Sequence, residues 1–177
     1  RLGGARATGV LRTPTRRGPP SAMPDCQPAK RARVQLECGI GSPGPKGRVL
    51  IRGEFGHGIV DELAPAPGET VLDKPGKGAF YATDLELILR NQAITSLIVT
   101  GVTTEVCVHT TVREANDRGF ECLVPSDCVG SYFQEFHEVG LKMIAAQGGI
   151  FGWVTPSDEL LSALESSFSL SAVAEGA

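Results

Sequence analysis

The alternation of apolar strands with helical segments downstream of Glu69 constrains the fold of this chain more than any other feature. Four short runs are typical of buried strands: Thr70–Lys74, Ser96–Gly101, Phe120–Val124 and Ile150–Val154. Segments with helical spacing of apolar residues follow them: Thr83–Gln92, Glu105–Gly119, Tyr132–Gln147 and a last one beginning near Pro156. Strands joined by helices of this length indicate right-handed βαβ units on a mostly parallel sheet.

The turns that follow the strands are the predicted location of a functional site. In open parallel sheets, ligands bind beyond the carboxyl ends of the strands. This rule assigns Asp73–Phe80, Thr100–Glu105 and Pro125–Ser131 to the functional edge of the sheet.

Charge is distributed unevenly along the 177 residues, whose net charge is -3. Residues 1–33 carry eight Lys or Arg against one Asp, whereas the rest of the chain carries nine basic against nineteen acidic residues. The acidic body argues against nucleic acid as a partner, and no apolar run has the ~18 residues that cross a bilayer. We therefore expect neither a nucleic-acid nor a membrane partner.

The organisation that follows from composition has three parts. The basic Gly/Pro/Arg-rich segment 1–27 is predicted to be disordered or divergent, residues 28–168 to form the folded domain, and 169–177 to be a tail. Five cysteines without CxxC spacing indicate reduced thiols and a cytoplasmic protein. If the basic segment belongs to a transit peptide, an organelle is the alternative compartment.

Cys107 is the candidate nucleophile, because it lies in the first turn of a predicted helix. With Thr104 as the N-cap, Cys107 is the third helical residue. Backbone N–H groups and the helix dipole favour a thiolate there, and the same N–H groups can bind an oxyanion. A small buried residue that packs the helix onto the sheet is the alternative.

No histidine has the spacing of an activating base for Cys107. His109 lies about 200° around the helix from it and is expected to be a surface or hydrogen-bonded residue; His137 is expected on a polar helix face, and nothing requires His57 to approach the site. Lys74 ends a predicted strand at the functional edge, where an ammonium would stabilise a thiolate. Lys77 lies out in the same turn.

Cofactor motifs are not found in the sequence. Neither "GIGSPGPKG" nor "KPGKG" matches a phosphate-binding GxxxxGK[ST] loop. The cysteines also lack the paired spacing of zinc ligands. We therefore expect no metal and no cofactor.

Three segments of the sequence carry a family resemblance: "VLDKPGKGAFYATDLELIL", "GVTTEVCVHTTVREANDRGFECLVPSDC" and "AAQGGIFGWV". Together they resemble the isochorismatase-like cysteine hydrolases, most closely the biuret and ureidoacrylate amidohydrolase branch. The resemblance implies an α/β fold in which a mostly parallel sheet lies between helices in a three-layer α/β/α sandwich. It also implies an oligomer, a dimer or a tetramer.

The resemblance further implies a role for each matching residue. Cys107 matches the nucleophile and Lys74 the lysine of an Asp-Lys-Cys triad. The family's cis peptide falls at Val102–Thr103, and the N–H groups of Thr103 and Cys107 match the oxyanion hole. Gln147 and Thr104 match positions expected to contact the substrate.

One element of the family pattern is missing from the sequence. No apolar strand ending in the catalytic aspartate occurs before Thr70, and Asp25 follows no strand. The chain is therefore expected to lack the first strand and helix, as a truncated or divergent member.

Three hypotheses for its function remain. The first is an amidohydrolase that cleaves a C–N bond of a small amide or ureido substrate through a thioester. The second is a catalytically impaired member that acts by oligomeric association. A redox sensor, in which Cys128 would resolve oxidised Cys107, is the third.

Overall fold

The structure, a computed structural model, describes residues 43–44, 47–48 and 50–174. These residues belong to two compact units that divide between Gly68 and Glu69. The predicted N-terminal segment 1–27 lies outside the described residues.

The described residues before Glu69 form a small hairpin and two short helical turns. Strand β1 (Pro43–Gly44) pairs antiparallel with β2 (Gly47–Arg48). The turns follow at Phe55–His57 and Asp61–Leu63. Arg48 forms an exposed ion pair with Glu54. The rest of the described residues 50–68 is loop, as their Gly and Pro content indicates.

The second unit alternates strands and helices in the predicted order. Its elements are α1 (Leu85–Asn91), β3 (Ser96–Ile98), β4 (Gly101–Val102), α2 (His109–Asp117), β5 (Glu121–Pro125), β6 (Val129–Gly130), α3 (Gln134–Gly149), β7 (Trp153–Thr155) and α4 (Ser157–Ala174). A π-helical turn, Thr104–Val108, leads into α2. Helix α4 continues beyond residue 168, where the sequence predicted the tail to begin.

Every strand pair of this unit is parallel. Strand β5 lies between β3 and β7, with Leu97 opposite Cys122 and Val124 opposite Val154. Strand β4 pairs with β6 beyond the ends of β3 and β5. The predicted α/β class with a parallel sheet is thereby confirmed. None of the helices in the described part is long and apolar enough to cross a membrane.

Two predicted strands differ from the structure. Thr70–Lys74 is not a strand, and Val71 within it is 52% exposed. A strand requires a neighbour to complete its hydrogen-bond ladder, and no described strand pairs with this segment. Ser96–Gly101 is divided into β3 and β4 because the chain changes partner from β5 to β6.

The core lies where α2 and α3 pack near β5. Its most buried apolar side chains are at most 1% exposed: Val112, Ala115, Phe120, Val124 and Ile144. Burying each of the larger side chains contributes about 1.5–3 kcal/mol. This packing fixes the start of α2, and with it the turn that carries Cys107.

Candidate active site

Cys107 lies in the turn that joins β4 to α2, at the carboxyl edge of the sheet. The peptide bond between Val102 and Thr103 is cis. The helical turn begins one residue earlier than the sequence predicted, because Thr103 is its N-cap and the Thr103 carbonyl accepts the N–H groups of Val106 and Val108 at 3.2 Å. Cys107 is therefore the fourth helical residue rather than the third. It is half-buried and still lies in the first turn of the helical segment.

Thr111 connects the loop that contains Lys74 to the turn that contains Cys107 through two hydrogen bonds. Its hydroxyl donates to the Cys107 carbonyl at 2.7 Å and accepts the Ala79 N–H at 3.1 Å. Thr111 is only 5% exposed, so both hydrogen bonds are shielded from water. A single side chain thus links the two segments that the sequence assigned to the site.

Glu114 makes a second connection between the same loop and α2. Its carboxylate accepts the Phe80 N–H at 3.2 Å. Gly78 lies so close to Glu114 that a Cβ at this position would collide with the carboxylate. The glycine therefore permits the loop to approach the helix.

Lys74 is half-buried in this loop and caps its own turn. Its Nζ donates to the Gly76 carbonyl at 3.1 Å and to the Lys77 carbonyl at 2.9 Å. Within the described residues, no hydrogen bond joins Lys74 to Cys107. The Lys77 side chain is exposed, as the sequence predicted for a residue out in the turn.

Thr104 and His137 connect the Cys107 turn to α3. Thr104 is completely buried, and its hydroxyl lies 2.9 Å from His137 Nδ1. Any contact of Thr104 with a substrate would first require this packing to open, so that role stays a prediction. His137 is not a free polar-face residue, because its ring is held by this hydrogen bond.

Gln147 lies at the other end of α3 from the Cys107 turn. Residues 134–145 form a regular helix that spans about 18 Å, and Gln147 follows it in a left-handed conformation, with φ 55°. Helix α3 begins after β6 at the carboxyl edge and ends before β7 at the amino edge. The structure therefore does not bring Gln147 and Cys107 of one chain together, and the substrate contact stays a prediction.

Comparison with known proteins identifies the family. The sequence profile of the isochorismatase domain matches residues 6–159. The chain belongs to the isochorismatase family. Its fold agrees with this assignment, because the crystal structure of an isochorismatase-like hydrolase from Alkaliphilus metalliredigens superposes with a TM-score of 0.61 at 32% identity, over 64% of this chain and 62% of that one.

Two amide-cleaving proteins are among the relatives of this isochorismatase-family chain. Ureidoacrylate amidohydrolase RutB from Methylobacterium radiotolerans is 34% identical over 124 residues, which cover 70% of this chain and 47% of the relative. The structure of N-carbamoylsarcosine amidase from Thermoplasma acidophilum is 28% identical, with a TM-score of 0.56 over 63% of this chain and 62% of that one. The chain spans about half the length of the curated relative.

The three described cysteines of this isochorismatase-family domain differ in accessibility. Cys122 is buried, and this burial raises the pKa of its thiol to about 11. Cys128 is exposed in the turn after β5, whereas Cys107 is half-buried. Exposure alone would therefore make Cys128 the most readily alkylated of the three.

His109 is the residue whose environment the sequence described least well. It is 7% exposed, its Nδ1 accepts the Arg113 Nε–H at 3.0 Å, and its Nε2 is buried without a partner. Burial lowers the pKa of His109, and the Arg113 charge lowers it further. It is therefore neither a surface residue nor a fully hydrogen-bonded one. The sequence also gave no indication that Glu105 has a buried, unpaired carboxylate oxygen. The available signal was the interval of four residues between Glu105 and His109, which places both on one face of the helix.

Metal ligands were not expected, and the described residues hold no group of three or more His, Cys, Asp or Glu side chains placed to bind a metal ion. The described site contains the thiol of Cys107 and the ammonium of Lys74.

Replacing Thr111 with valine is expected to destabilise the domain by about 1–3 kcal/mol, because it leaves the buried Ala79 N–H without its partner and removes the bond to the Cys107 carbonyl. Chemical denaturation followed by circular dichroism measures this loss. Thr111→Ser retains the hydroxyl and should cost less than half as much. The neighbouring Thr110→Val is the matched control, because the Thr110 hydroxyl makes no hydrogen bond within the described part. If Thr111→Val and Thr110→Val lowered the free energy of unfolding equally, the bridging role of Thr111 would be contradicted.

Proposed function

We propose that this chain is a cysteine-dependent amidohydrolase that cleaves a C–N bond of a small ureido compound or amide through a thioester. The observation that supports the proposal most is the Thr111 bridge. It holds the Lys74 loop against the helical turn that carries Cys107, so two side chains that lie far apart in the sequence reach the same edge of the sheet.

The reaction begins with the transfer of the Cys107 proton to a base. In the triad implied by the family resemblance, this base is an aspartate; in the described residues, no carboxylate is hydrogen-bonded to Cys107. The thiolate then attacks the carbonyl carbon, and a C–S bond forms as the carbonyl electron pair moves onto oxygen. The N–H groups of Thr103 and Cys107 are the proposed donors to that oxyanion.

Collapse of the tetrahedral intermediate completes the acylation. The C–N bond breaks, and the nitrogen leaves as ammonia or an amine after it takes up the proton that the base removed from Cys107. Water then attacks the thioester, releasing the acid and restoring the thiol. Lys74 is the proposed lysine of the triad, and its Nζ donates to the Gly76 and Lys77 carbonyls of its own turn.

A ureido compound is the preferred substrate class. The curated relative is named a ureidoacrylate amidohydrolase, and a structural relative is named an N-carbamoylsarcosine amidase. Both names describe a carbonyl that carries nitrogen on both sides. In the branch that the sequence resembles, the carboxamide at the position of Gln147 offers one donor and one acceptor to such a group.

The test is ammonia release from ureidoacrylate, biuret and nicotinamide by the full chain, paired with alkylation of its thiols. The background variant Cys26→Ser/Cys38→Ser leaves three cysteines. We expect turnover of at least one ureido compound and labelling of Cys107 before Cys128. Because Cys128 is exposed and Cys107 half-buried, this order requires an activated thiolate. Equal labelling rates, or no turnover of any of the three compounds, would count against the proposal.

Association without catalysis is the second candidate. It is favoured by the position of the Lys74 ammonium, which binds the Gly76 and Lys77 carbonyls rather than Cys107. This candidate predicts a stable homo-oligomer, a dimer or a tetramer, with no turnover of any of the three compounds. Light scattering beside the ammonia assay separates the two candidates.

A further inference from the structure

A groove of about 360 Å³ lies between α2 and α3, within the ~300–1,000 Å³ range of small-molecule sites. The π-helical turn and α2 contribute Glu105, His109 and Arg113 to its lining. Their intervals of four residues place the three side chains on one face of a helix. Cys107 lies two residues from both Glu105 and His109, and so on another face; it does not line the groove. The groove is therefore separate from the proposed thiol chemistry.

The α3 wall of the groove is apolar and open to solvent. Phe136, Val139 and Met143 line it and are 45–48% exposed. Gly140 also lines this wall and adds no side chain to fill the groove. Exposed apolar surface that is contiguous in this way marks an interaction site. The wall suits the hydrocarbon part of a ligand.

The charged side chains of the groove are separated by sign along its length. Helices α2 and α3 both run from the carboxyl edge of the sheet to the amino edge. Glu105 and Glu135, each near the start of its helical segment, therefore share one end of the groove. Arg113 lies about 12 Å further along α2 than Glu105. The groove thus presents two carboxylates at one end and a guanidinium toward the other.

At the acidic end, Glu135 is the carboxylate that a ligand reaches directly. Its side chain is exposed and has no ion pair among the described residues. Glu105 differs, because its Oε2 is buried within its own chain and has no hydrogen-bond partner. A buried carboxylate oxygen without a partner favours positive charge nearby, even where no contact forms. Both residues therefore favour a cation at this end, with Glu135 as its partner.

At the basic end, Arg113 and His109 offer hydrogen-bond donors that lack acceptors. Arg113 lies 4.1 Å from the centroid of the Phe151 ring and donates its Nε–H to His109 Nδ1. Its terminal amino groups make no hydrogen bond in the described part of the chain. Because Nδ1 accepts, the proton of the neutral His109 ring lies on Nε2, which is buried without a partner. A carboxylate is the ligand group that suits donors of both kinds.

We propose that this groove binds a small linear zwitterion, with its cation at Glu135, its carboxylate at Arg113 and a methylene stem along the α3 wall. The two charged ends of the groove determine the two ends of the ligand, and the apolar wall determines what joins them. Because the side chains of Glu135 and Arg113 extend toward the ligand, its charges are closer together than the separation of about 12 Å along the helix. An ω-amino acid such as 6-aminohexanoate has this form.

The methyl group of Met143 reports binding within the groove. The chain has two methionines, Met23 and Met143, so Met23→Leu leaves one methyl resonance when the full chain is labelled with [¹³C-methyl]methionine. Titration with 6-aminohexanoate should shift this resonance. Hexanoate lacks the cation and hexylamine lacks the carboxylate. We expect the dissociation constant of 6-aminohexanoate to be at least tenfold lower than that of either compound.

Single substitutions separate the two ends of the groove. Glu135→Gln should weaken 6-aminohexanoate at least tenfold and leave hexanoate unchanged, whereas Arg113→Gln should weaken 6-aminohexanoate and leave hexylamine unchanged. Glu138→Gln is the matched control, because Glu138 lies on the same helix but does not line the groove, and it should bind 6-aminohexanoate as the wild type does. Arg113→Lys retains the cation, and should bind more tightly than Arg113→Gln. If Arg113→Gln does not fold, the Glu135 pair of variants still decides.

Three outcomes overturn the proposal. The first is a Met143 resonance that does not respond to 6-aminohexanoate, and the second is equal affinity for all three compounds, which would reduce the groove to an apolar surface. The third is equal weakening by Glu135→Gln and Glu138→Gln, which would indicate a general effect of charge. Cys107→Ala should bind 6-aminohexanoate as the wild type does; loss of binding there would assign the compound to the Cys107 site instead. None of these measurements depends on catalysis.

Discussion

Replacing Cys107 with alanine is expected to slow ammonia release on the order of a thousand-fold or more, because the variant lacks the atom that forms the thioester. The fold should survive this change. Cys107 contributes its backbone carbonyl to the Thr111 hydrogen bond, which alanine retains. Its half-buried side chain is not part of the buried core. Initial rates of ammonia release and thermal denaturation of the same preparation measure the two properties.

The other two described cysteines provide matched controls for this result. Cys128→Ala removes an exposed thiol and should change neither the rate nor the melting temperature. Cys122→Ala removes a buried one and should lower stability while the rate per folded molecule stays the same. Cys107→Ser, which retains a hydroxyl of much higher pKa than the thiol, should remain nearly inactive. The assignment of Cys107 as the nucleophile would be contradicted if Cys107→Ala remained active, or if Cys128→Ala were inactive too.

Replacing Gly152 with alanine is expected to be the most destabilising small substitution in the domain, at about 3–4 kcal/mol. Gly152 has φ +151°, and a Cβ at this position would lie 2.5 Å from the Cys122 carbonyl oxygen. Neither atom can move freely, because Cys122 is in β5 and Gly152 leads directly into β7. The added methyl group therefore separates two paired strands of the sheet. Denaturant unfolding at 25 °C measures the loss.

Gly119→Ala is the matched control for this glycine, because it adds the backbone strain without the collision. Gly119 has φ +79°, and a Cβ there would meet nothing within 4 Å. Its replacement should cost about 1–2 kcal/mol, the usual cost of a left-handed conformation for an L-residue. A typical domain is stable by 5–15 kcal/mol, so both variants should fold and the difference between them can be measured. Equal costs would show that the contact with Cys122 relaxes.

The spacing of apolar residues predicted the helices and strands whose formation depends mainly on the residues within them. The apolar periodicity of residues 83–92 corresponds to α1, and that of residues 105–119 corresponds to the π-helical turn together with α2. Strand β5 is displaced by a single residue from the predicted Phe120–Val124. Thr70–Lys74 is the exception, since a strand depends on a neighbouring segment as much as on its own side chains.

The sequence by itself determined the α/β class and the family, because these follow from periodicity and from short motifs. It also placed Cys107 in the first turn of a helix and Lys74 at the same edge of the sheet, although the strand that it predicted to end at Lys74 is a loop. Only the tertiary structure decided how those segments meet. Thr111 bonds to Ala79, 32 positions before it, and Thr104 pairs with a histidine 33 positions away. Gln147 lies at the edge opposite Cys107. Such contacts depend on how the helices pack on the sheet, and the spacing of residues along the sequence does not predict that packing. The burial of His109, whose Nε2 has no partner while its Nδ1 accepts from Arg113, follows from the same packing.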